Sequence, residues 1–339
     1  MPTSKQHQNP LCRLLAPITA RGYTWLKKLG PDSFPRTVIV ETTSRCNLRC
    51  PICPRDKMKR QAGDMPPEIF EAVVEELARH DEREELELVI LHFFGDPLMH
   101  PRILDMIEQI GSRLPNLRKL GELRDPMRGL CTSTNALLLS ADKVEGLLDS
   151  KLTWLGIAMD ATSEMLYQDM HGSKRWEMLV SNVERLLEAN AARPRDLPTI
   201  GLQIIETPDT AEEIEAFRSR WEPYTNSAEN VQIVVKPFTN WAGQIDMPAG
   251  NPWYFTTPCR WPWRALAVCS DGQVAPCCYD MDCTMRLGRV PEQTLEEIWA
   301  SESVRRLREQ LRTGRLDHLA LCHHCDEART YLSRFLPWR

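Results

Sequence analysis

The sequence predicts an α/β fold in which six strand–helix steps form an open, partial barrel, followed by a small cysteine-rich α+β extension. Three observations lead to this prediction. β-branched runs alternate with segments of helical periodicity, polar or cysteine residues follow the strand ends, and the alternation stops near residue 250. Alternation of this kind produces a parallel sheet with right-handed crossovers. Six steps are too few for a closed eight-stranded barrel.

Six short segments are predicted as strands because they are apolar and rich in β-branched residues. In chain order they are residues 36–42, residues 86–94, a segment that ends near Thr134, and residues 153–159, 199–206 and 230–236.

The segments between these strands carry apolar residues at helical spacing. Over residues 67–80, Pro67 suits the first turn of a helix, and Ile69, Val73 and Leu77 recur on one face. The other helices are predicted at residues 100–113, 141–149, 177–191 and 210–221.

Composition excludes several classes of function. The net charge of -5 argues against a nucleic-acid binder that neutralises phosphates over a basic face. The sequence contains no run of about 20 apolar residues, so no membrane-spanning helix is predicted. At the N-terminus a short amphipathic helix is expected at Leu11–Leu29, and Pro10 and Pro17 interrupt any secretory signal. A cytoplasmic location is therefore expected.

Three cysteines follow the first predicted strand at the spacing C-x3-C-x2-C, namely Cys46, Cys50 and Cys53. Thiolates at this spacing can bind three irons of a cubane cluster and leave the fourth iron open to another ligand. The alternative is a zinc loop. Structural zinc sites take four ligands, however, and no fourth Cys or His lies nearby in the sequence.

Polar residues follow the later strands as well. In parallel α/β folds, chemistry collects at the carboxyl ends of the strands. The residues at these positions are Gly95-Asp96-Pro97, Asn135, Asp160, Glu206 and Lys236. The sequence therefore predicts an active site at this edge of the sheet.

The first cysteine motif resembles the signature of the radical SAM superfamily, and the resemblance covers residues 36–237. It implies that Cys46, Cys50 and Cys53 hold a [4Fe–4S] cluster whose open iron binds S-adenosyl-L-methionine (SAM). Reductive cleavage of SAM then releases a 5′-deoxyadenosyl radical, which abstracts a hydrogen atom from the substrate.

Other segments resemble cofactor-binding positions of that superfamily. Phe94-Gly95-Asp96-Pro97 is similar to the Gly-Gly-Glu-Pro motif that supports the SAM amino group, although Asp is one methylene shorter than Glu. Asn135 resembles the asparagine that follows the third strand. Ile52 stands where members often carry an aromatic residue beside adenine. Asp160 resembles a position that often faces SAM or substrate.

A different pattern begins after residue 253. A hairpin is predicted from Ala265–Cys269 and Gln273–Cys277, followed by a helix at about residues 294–312 that Gly314 closes. Four cysteines stand out by their spacing, and on geometry alone a hairpin with a CxxC pair suits zinc, with His323 and His324 as additional candidates. These cysteines are Cys259, Cys277, Cys322 and Cys325.

This region resembles the SPASM/twitch extension of many radical SAM enzymes. The similarity lies in the spacing Cys-x12-Gly-x4-Cys from Cys259 to Cys277 and in the later CxxC pair. It implies that the four cysteines hold one auxiliary [4Fe–4S] cluster, because the longer version needs two more cysteines and none follows Cys325. The cluster would accept electrons, or bind substrate if one ligand were lost.

Three further cysteines remain in this region. Cys269 is expected to pack in the hairpin as a small apolar residue, and Cys278 is an alternative ligand to Cys277. Cys283 lies in a predicted loop. It is either an incidental thiol or a donor of a hydrogen atom to a substrate radical, which would make the protein an epimerase.

The resemblance implies an oxidoreductase that uses an external electron donor such as flavodoxin or ferredoxin. The single auxiliary cluster is similar to that of aminocyclitol and aminoglycoside dehydrogenases of antibiotic biosynthesis, so we expect oxidation of an alcohol on a small polar substrate. Acidic residues expected at the rim suit its ammonium groups: Asp160, Glu206, Asp280 and Asp282.

Two other interpretations stay open. One is a peptide or protein maturase that makes thioethers, crosslinks or epimers, although residues 1–35 are too few for a peptide-recognition domain. The other is a non-catalytic zinc scaffold that binds a partner through its ten tryptophans. For the main interpretation we expect an N-terminal extension (1–35), a radical SAM partial barrel (36–250) and an auxiliary cluster domain (251–339).

Overall fold

The computed structural model describes residues 33–125, 128–192, 196–207, 210–246, 254–256, 259–312, 316, 318–327 and 329–331. The helix expected at Leu11–Leu29 and the expected helix end at Gly314 lie outside the described residues.

Within these residues, nine strands form one sheet in the order β10-β9-β8-β1-β2-β3-β4-β5-β6, and β7 and β11 form a separate pair. The strands are β1 (Thr37–Val40), β2 (Leu88–Ile90), β3 (Gly129–Thr134), β4 (Trp154–Ala158), β5 (Thr199–Glu206), β6 (Val231–Pro237), β7 (Tyr254–Thr256), β8 (Ala265–Val268), β9 (Gln273–Ala275), β10 (Gly288–Arg289) and β11 (Arg329–Tyr331). All neighbours from β8 through β1 to β6 are parallel.

Helices connect the parallel strands. They are α1 (Pro67–Glu82), α2 (Ile103–Arg113), α3 (Pro115–Gly121), α4 (Ala141–Leu148), α5 (Glu164–His171), α6 (Trp176–Ala192), α7 (Ile214–Ser227), α8 (Trp261–Arg264), α9 (Leu295–Trp299) and α10 (Glu302–Arg312). The predicted alternation of six strands with helices is confirmed, as is the α/β fold with a parallel, unclosed sheet.

Three helices were not predicted from the sequence: α3, α5 and the four-residue α8. In α3, Pro115 occupies the first position, and the carboxylate of Asp81 on α1 accepts hydrogen bonds from the first-turn amides of Asn116 and Leu117, at 2.9 and 2.7 Å. The cap therefore comes from a distant residue. In α5, the signals are local: Ser163 caps its start, and Gly172 ends it in the left-handed conformation, with φ of 65°.

The helix predicted at residues 294–312 is two helices. Thr294 and Glu297 form a reciprocal capping box at the start of α9. The chain then turns at Ala300 and Ser301, and the Ser301 hydroxyl accepts a hydrogen bond from Val304 N in the first turn of α10, at 3.4 Å. The cap at Ser301 therefore begins a second helix within the segment that was predicted as one.

The two faces of the sheet bury different side chains. Val38, Val89, Leu130, Leu155 and Ile200 belong to the large core between the sheet and the helices. Residues one position away along these strands face the other side, because side chains alternate along a strand.

On that inner face, Leu88, Cys131 and Trp154 form a separate group, here called the floor cluster. Ile90 of β2 and Val234 of β6 both pack against it. The floor cluster spans β2, β3 and β4, so apolar side chains line the inner face of the sheet from β2 to β6. The sheet stays open between its edge strands β10 and β6.

The C-terminal hairpin joins the barrel sheet. The expected hairpin forms from β8 and β9, and β8 pairs in parallel with β1, from Thr37 opposite Ala265 to Val40 opposite Val268. The sheet thus continues past residue 250, where the sequence analysis placed a domain boundary, and that boundary stays a prediction. No helix in the described part of the chain is long and apolar enough to cross a membrane.

Candidate metal and cofactor site

The loop with the first three cysteines begins directly after β1, and a neighbouring segment fixes its start. Ser44 N donates to Gly63 O at 2.9 Å. The Arg45 guanidinium binds both carboxylate oxygens of Asp64, from Nε at 2.9 Å and from Nη2 at 2.6 Å. A bidentate pair constrains orientation as well as distance. The backbone directly before Cys46 is therefore held in place by these contacts.

The segment after β2 lies directly against this loop at Gly95. A Cβ atom at residue 95 would stand 2.1 Å from Thr43 O and 2.7 Å from Arg45 O. The amide of the next residue, Asp96, donates to Arg45 O at 2.9 Å. Only glycine allows the two backbones to approach this closely.

The Asp96 carboxylate is occupied by protein hydrogen bonds. It accepts from Leu98 N at 2.9 Å, from Thr134 Oγ1 at 2.8 and 3.0 Å, and from Asn135 N at 2.8 Å. Burial raises its pKa, and the hydrogen bonds from Asn135 N and Thr134 oppose the rise. Asp96 thus ties the end of β3 to the segment after β2. Pro97 is buried at the start of the short 3-10 turn that follows.

Asn135 reaches the cysteine loop. Its Nδ2 donates to Asn47 Oδ1 at 2.7 Å and lies 3.8 Å from Cys46 Sγ. The structure therefore brings together the first cysteine motif, Gly95, Asp96 and Asn135. Their roles toward SAM stay predictions.

A histidine that the sequence analysis did not identify contacts the same loop. His171 is buried at the end of α5, and its Nδ1 lies 3.3 Å from Cys50 Sγ. Its Nε2 lies 3.1 Å from Met159 O and 3.4 Å from Asp160 Oδ2. The ring therefore joins a predicted cluster ligand to the end of β4.

The turn after α5 adds two contacts with the cysteine loop. A Cβ atom at Gly172 would stand 2.8 Å from Arg49 O, so the turn lies close to the loop backbone. Arg175 Nη2 donates to Asn47 O at 2.9 Å. The sequence signal for this turn was the pair of caps around α5, and the contact itself depends on packing.

The three thiols suit a group that supplies positive charge. Burial raises the pKa of Cys46, Cys50 and Cys53, that of Cys53 to about 11. A buried thiolate requires nearby positive charge, which iron provides. Among the described residues, no three Cys, His, Asp or Glu side chains converge for a single metal ion. The donor set therefore fits a cluster, whose ligands stand farther apart, better than one zinc ion.

An aromatic side chain does stand beside the loop, but it comes from elsewhere in the chain. Trp241 Nε1 donates to the carbonyl of Ile52 at 3.0 Å. The Trp241 ring centroid lies 5.3 Å from that of Phe94 and 5.5 Å from that of Tyr279. The sequence analysis missed Trp241, which follows β6 outside any recognisable motif.

Of the acidic residues expected at the rim, Asp160 faces the interior of the barrel. Its buried carboxylate accepts from Gln203 Nε2 at 3.2 Å. Glu206 stands elsewhere: Ile205 is in register with Lys236, and Glu206 is the next residue, on the opposite face of β5. The structure therefore does not bring Glu206 to Asp160.

The other two acidic residues hold backbone amides. Asp280 is fully buried, and its carboxylate accepts from Thr284 N at 2.7 Å and Met285 N at 2.8 Å. Asp282 Oδ1 accepts from the amides of Lys59 and Arg60, at 2.8 and 3.1 Å. The expectation that these two carboxylates bind substrate ammonium groups is therefore not supported, because both already accept hydrogen bonds from backbone amides.

Four cysteines of the C-terminal region line one small cavity of about 20 Å³. Most of its other walls are apolar, including Trp261, Met285 and Leu307. Burial raises the pKa of three of these thiols, that of Cys322 to about 11. Four thiols around one enclosed space fit a fully ligated cluster. The four are Cys259, Cys277, Cys322 and Cys325.

Cys283 has surroundings unlike those expected. Its thiol forms a hydrogen bond with Cys269, which together with burial raises the pKa of Cys269. Both lie in an apolar cluster with Ile39 and Ala275, and Cys283 is only 5% exposed. Cys278 packs against this cluster, whereas Cys277 lines the cavity. The structure therefore gives no support to Cys283 as a donor to substrate.

Comparison with protein-family models gives two matches. The radical SAM superfamily model matches residues 40–217, slightly more than half of the chain. The SPASM iron–sulfur cluster-binding domain matches residues 259–326.

Two curated proteins are similar over most of the chain. A tungsten-containing aldehyde ferredoxin oxidoreductase cofactor-modifying protein of Pyrococcus furiosus is 23% identical and covers 78% of this chain and 80% of that protein. An S-adenosyl-L-methionine-dependent 2-deoxy-scyllo-inosamine dehydrogenase of Niallia circulans is 19% identical, over 87% of this chain and 94% of that protein.

Two solved structures share the fold. BtrN in complex with AdoMet and 2-DOIA has a TM-score of 0.57 at 19% identity, over 87% of this chain and 94% of BtrN. Streptococcus suis SuiB bound to its precursor peptide SuiA has a TM-score of 0.57 at 15% identity, over 95% of this chain and 76% of SuiB.

Proposed function

This chain belongs to the radical SAM superfamily, and we propose that it oxidises an alcohol group of an aminocyclitol-type substrate to a ketone. Its radical SAM domain binds a [4Fe–4S] cluster with SAM, and its SPASM domain binds auxiliary iron–sulfur clusters. When bound, these groups supply a 5′-deoxyadenosyl radical that removes a hydrogen atom and an acceptor for one electron.

The observation that carries the proposal is the cavity lined by four cysteines, Cys259, Cys277, Cys322 and Cys325. A cluster with four protein ligands has no open iron for a substrate, so its use is electron transfer. Electron transfer away from the substrate makes the overall reaction an oxidation. The similarity to the Niallia circulans dehydrogenase, which is named for an aminocyclitol substrate, supports the choice of substrate.

The chain's own residues hold and orient the reacting groups. Cys46, Cys50 and Cys53 hold the first cluster. Asp96 and Asn135 keep the segments after β2 and β3 against the cysteine loop, through hydrogen bonds of 2.7–3.0 Å. An external one-electron donor of the flavodoxin or ferredoxin type would reduce the first cluster.

Anaerobic reconstitution tests the proposal. The protein is loaded with iron and sulfide, reduced with dithionite, and incubated with SAM and 2-deoxy-scyllo-inosamine. Chromatography follows 5′-deoxyadenosine, and mass spectrometry follows the ketone. Wild-type protein should form both products in equal amounts. The Cys46→Ala/Cys50→Ala/Cys53→Ala variant should form neither.

The auxiliary site has its own variant. Cys322→Ala/Cys325→Ala should still form 5′-deoxyadenosine but lose the ketone, because the electron has no acceptor. Cys131→Ala removes a buried thiol of the floor cluster and serves as the matched control, with unchanged iron content. Formation of 5′-deoxyadenosine with a peptide, and none with the aminocyclitol, would replace the proposal with peptide maturation.

A further inference from the structure

Two nitrogen-bearing side chains stand directly above the floor cluster. His92 follows Ile90 by two residues, and Lys236 follows Val234 by two residues; both Ile90 and Val234 pack on that cluster. Side chains two residues apart in extended chain share a face. His92 and Lys236 therefore face each other across the barrel interior, and the charge of Lys236 acts on the His92 ring.

No hydrogen bond joins either side chain to another described residue, but the two differ in burial: Lys236 is exposed and open to solvent or a ligand. His92 Nδ1 is enclosed by protein atoms and unpaired, while the residue as a whole keeps partial exposure. Burial, reinforced by the charge of Lys236, lowers the pKa of His92 to about 3, so the ring is neutral at neutral pH. Burial also lowers the pKa of Lys236, and the charge of Asp160 opposes this.

The buried, unpaired Nδ1 atom of His92 costs free energy unless a ligand satisfies it, and the exposed Lys236 ammonium beside it is free to contact the same ligand. We propose that Lys236 and His92 form a subsite that binds one hydroxyl group of the substrate, which accepts a hydrogen bond from Lys236 and donates one to His92. This inference rests on the proposed function and assigns it a place in the barrel, between the floor cluster and the cysteine loop.

The charges favour a hydroxyl over other groups. The negative charge of Asp160 acts on Lys236, and a carboxylate bound at Lys236 would be repelled by it. An ammonium group would meet Lys236, a like charge. A hydroxyl both accepts and donates, which matches one ammonium donor and one neutral imidazole.

The proton that the reaction releases can leave the subsite through water. Oxidation of a secondary alcohol to a ketone removes one hydrogen atom, one electron and one proton. When bound, the cofactors would account for the first two. The proton passes to solvent, because His92 and Lys236 both keep solvent exposure and a ring with so low a pKa does not retain it.

Anaerobic isothermal titration calorimetry tests the subsite without turnover. Reconstituted holoenzyme with SAM, but no reductant, is titrated with 2-deoxy-scyllo-inosamine. Lys236→Met should weaken binding about tenfold or more, the usual loss for a hydrogen bond to a charged group. Lys236→Arg keeps the charge and should stay within about threefold of wild type. Lys119→Met, an exposed lysine on α3, is the control.

A second titration uses cyclohexylamine, which has the ring and the ammonium group but no hydroxyl. Its affinity should be low and equal in the wild type and in Lys236→Met. His92→Phe should also weaken 2-deoxy-scyllo-inosamine binding, because the substrate hydroxyl loses its hydrogen-bond acceptor. Iron content and circular dichroism establish that each variant is folded and loaded.

The outcomes separate the subsite from the reaction. Equal affinity of wild type and Lys236→Met for 2-deoxy-scyllo-inosamine overturns the subsite. The subsite is also overturned if Lys236→Met weakens the binding of SAM and not that of 2-deoxy-scyllo-inosamine. Absence of binding to wild type overturns it as well. Binding that depends on Lys236, with no ketone after reduction, supports the subsite and removes the proposed reaction.

Discussion

At the scale of single residues, neighbouring carboxylates in this molecule have different uses. Asp96, Asp280 and Asp282 each accept backbone amide hydrogen bonds and fix loops. Asp160 instead faces side chains, Gln203 and His171, inside the barrel. The difference follows from position: a carboxylate at a turn meets free backbone N–H groups, whereas one on an inward-facing position does not.

A buried ion pair joins the cysteine loop to the C-terminal hairpin. Arg60 Nη2 contacts Glu41 Oε1 at 2.5 Å, and both side chains are at most 5% exposed. Glu41 also accepts from Ser270 N at 2.9 Å, and Arg60 donates to the carbonyl of Met281. Because water does not reach the Arg60 and Glu41 charges, only the groups bound to them can stabilise them.

Glu41→Gln should therefore destabilise the protein by about 3 kcal/mol, because it leaves the Arg60 cation buried without its counter-charge. Thermal melting of the reconstituted protein measures the effect. The matched control is Glu87→Gln, whose partners Arg36 and Arg264 are 45% exposed and whose loss should cost about 1 kcal/mol or less. Equal shifts of the melting midpoint for the two variants would contradict this account.

At the scale of elements, the cysteine loop is shaped by contacts with three neighbouring segments. The segment after β2 touches it at Gly95, the end of β3 at Asn135, and the α5–α6 turn at His171 and Arg175. The loop itself contains no regular helix or strand between β1 and the short 3-10 turn at Pro54–Lys57. Its shape therefore depends on these contacts.

Gly95→Ala should prevent loading of the first cluster, because its Cβ would overlap backbone oxygens that cannot move without moving the cysteine loop. Iron content and the electron paramagnetic resonance signal of the reduced cluster report the loss. Gly63→Ala is the control, since a Cβ there meets no atom within 4 Å. Full loading of Gly95→Ala would mean that the loop is more adaptable than these distances indicate.

At the scale of the whole molecule, the barrel and the C-terminal region share one sheet. β8 supplies the strand beside β1, and the Ser270 amide satisfies Glu41. Removal of residues 251–339 would expose the backbone edge of β1, and unpaired edges promote aggregation. The two regions that the sequence separates are thus one structural unit at β1.

A fragment of residues 1–250 should aggregate and fail to retain the first cluster. Size-exclusion chromatography and iron analysis after anaerobic reconstitution check this. The full-length Cys322→Ala/Cys325→Ala variant is the comparison: it loses auxiliary ligands but keeps β8, and should keep the first cluster and elute like wild type. A dispersed fragment with a full first cluster would show that β8 is dispensable for the barrel.

The sequence by itself determined the alternation of the six barrel strands with helices, the two cysteine sets and the family. Periodicity and ligand spacing are local properties, so they can be read along the chain. It also placed Asp96 and Asn135 near the first motif, because both follow strands of one parallel sheet.

Only the tertiary structure decided which distant residues meet. His171 contacts Cys50 across 121 positions, Ser270 binds Glu41 across 229, and His92 faces Lys236 from a strand four places away in the sheet. The sequence analysis did not identify His92, although it follows Ile90 by two residues. It could not show what lies opposite, because sheet curvature and edge pairing arise from packing of the whole chain, and no local pattern encodes them.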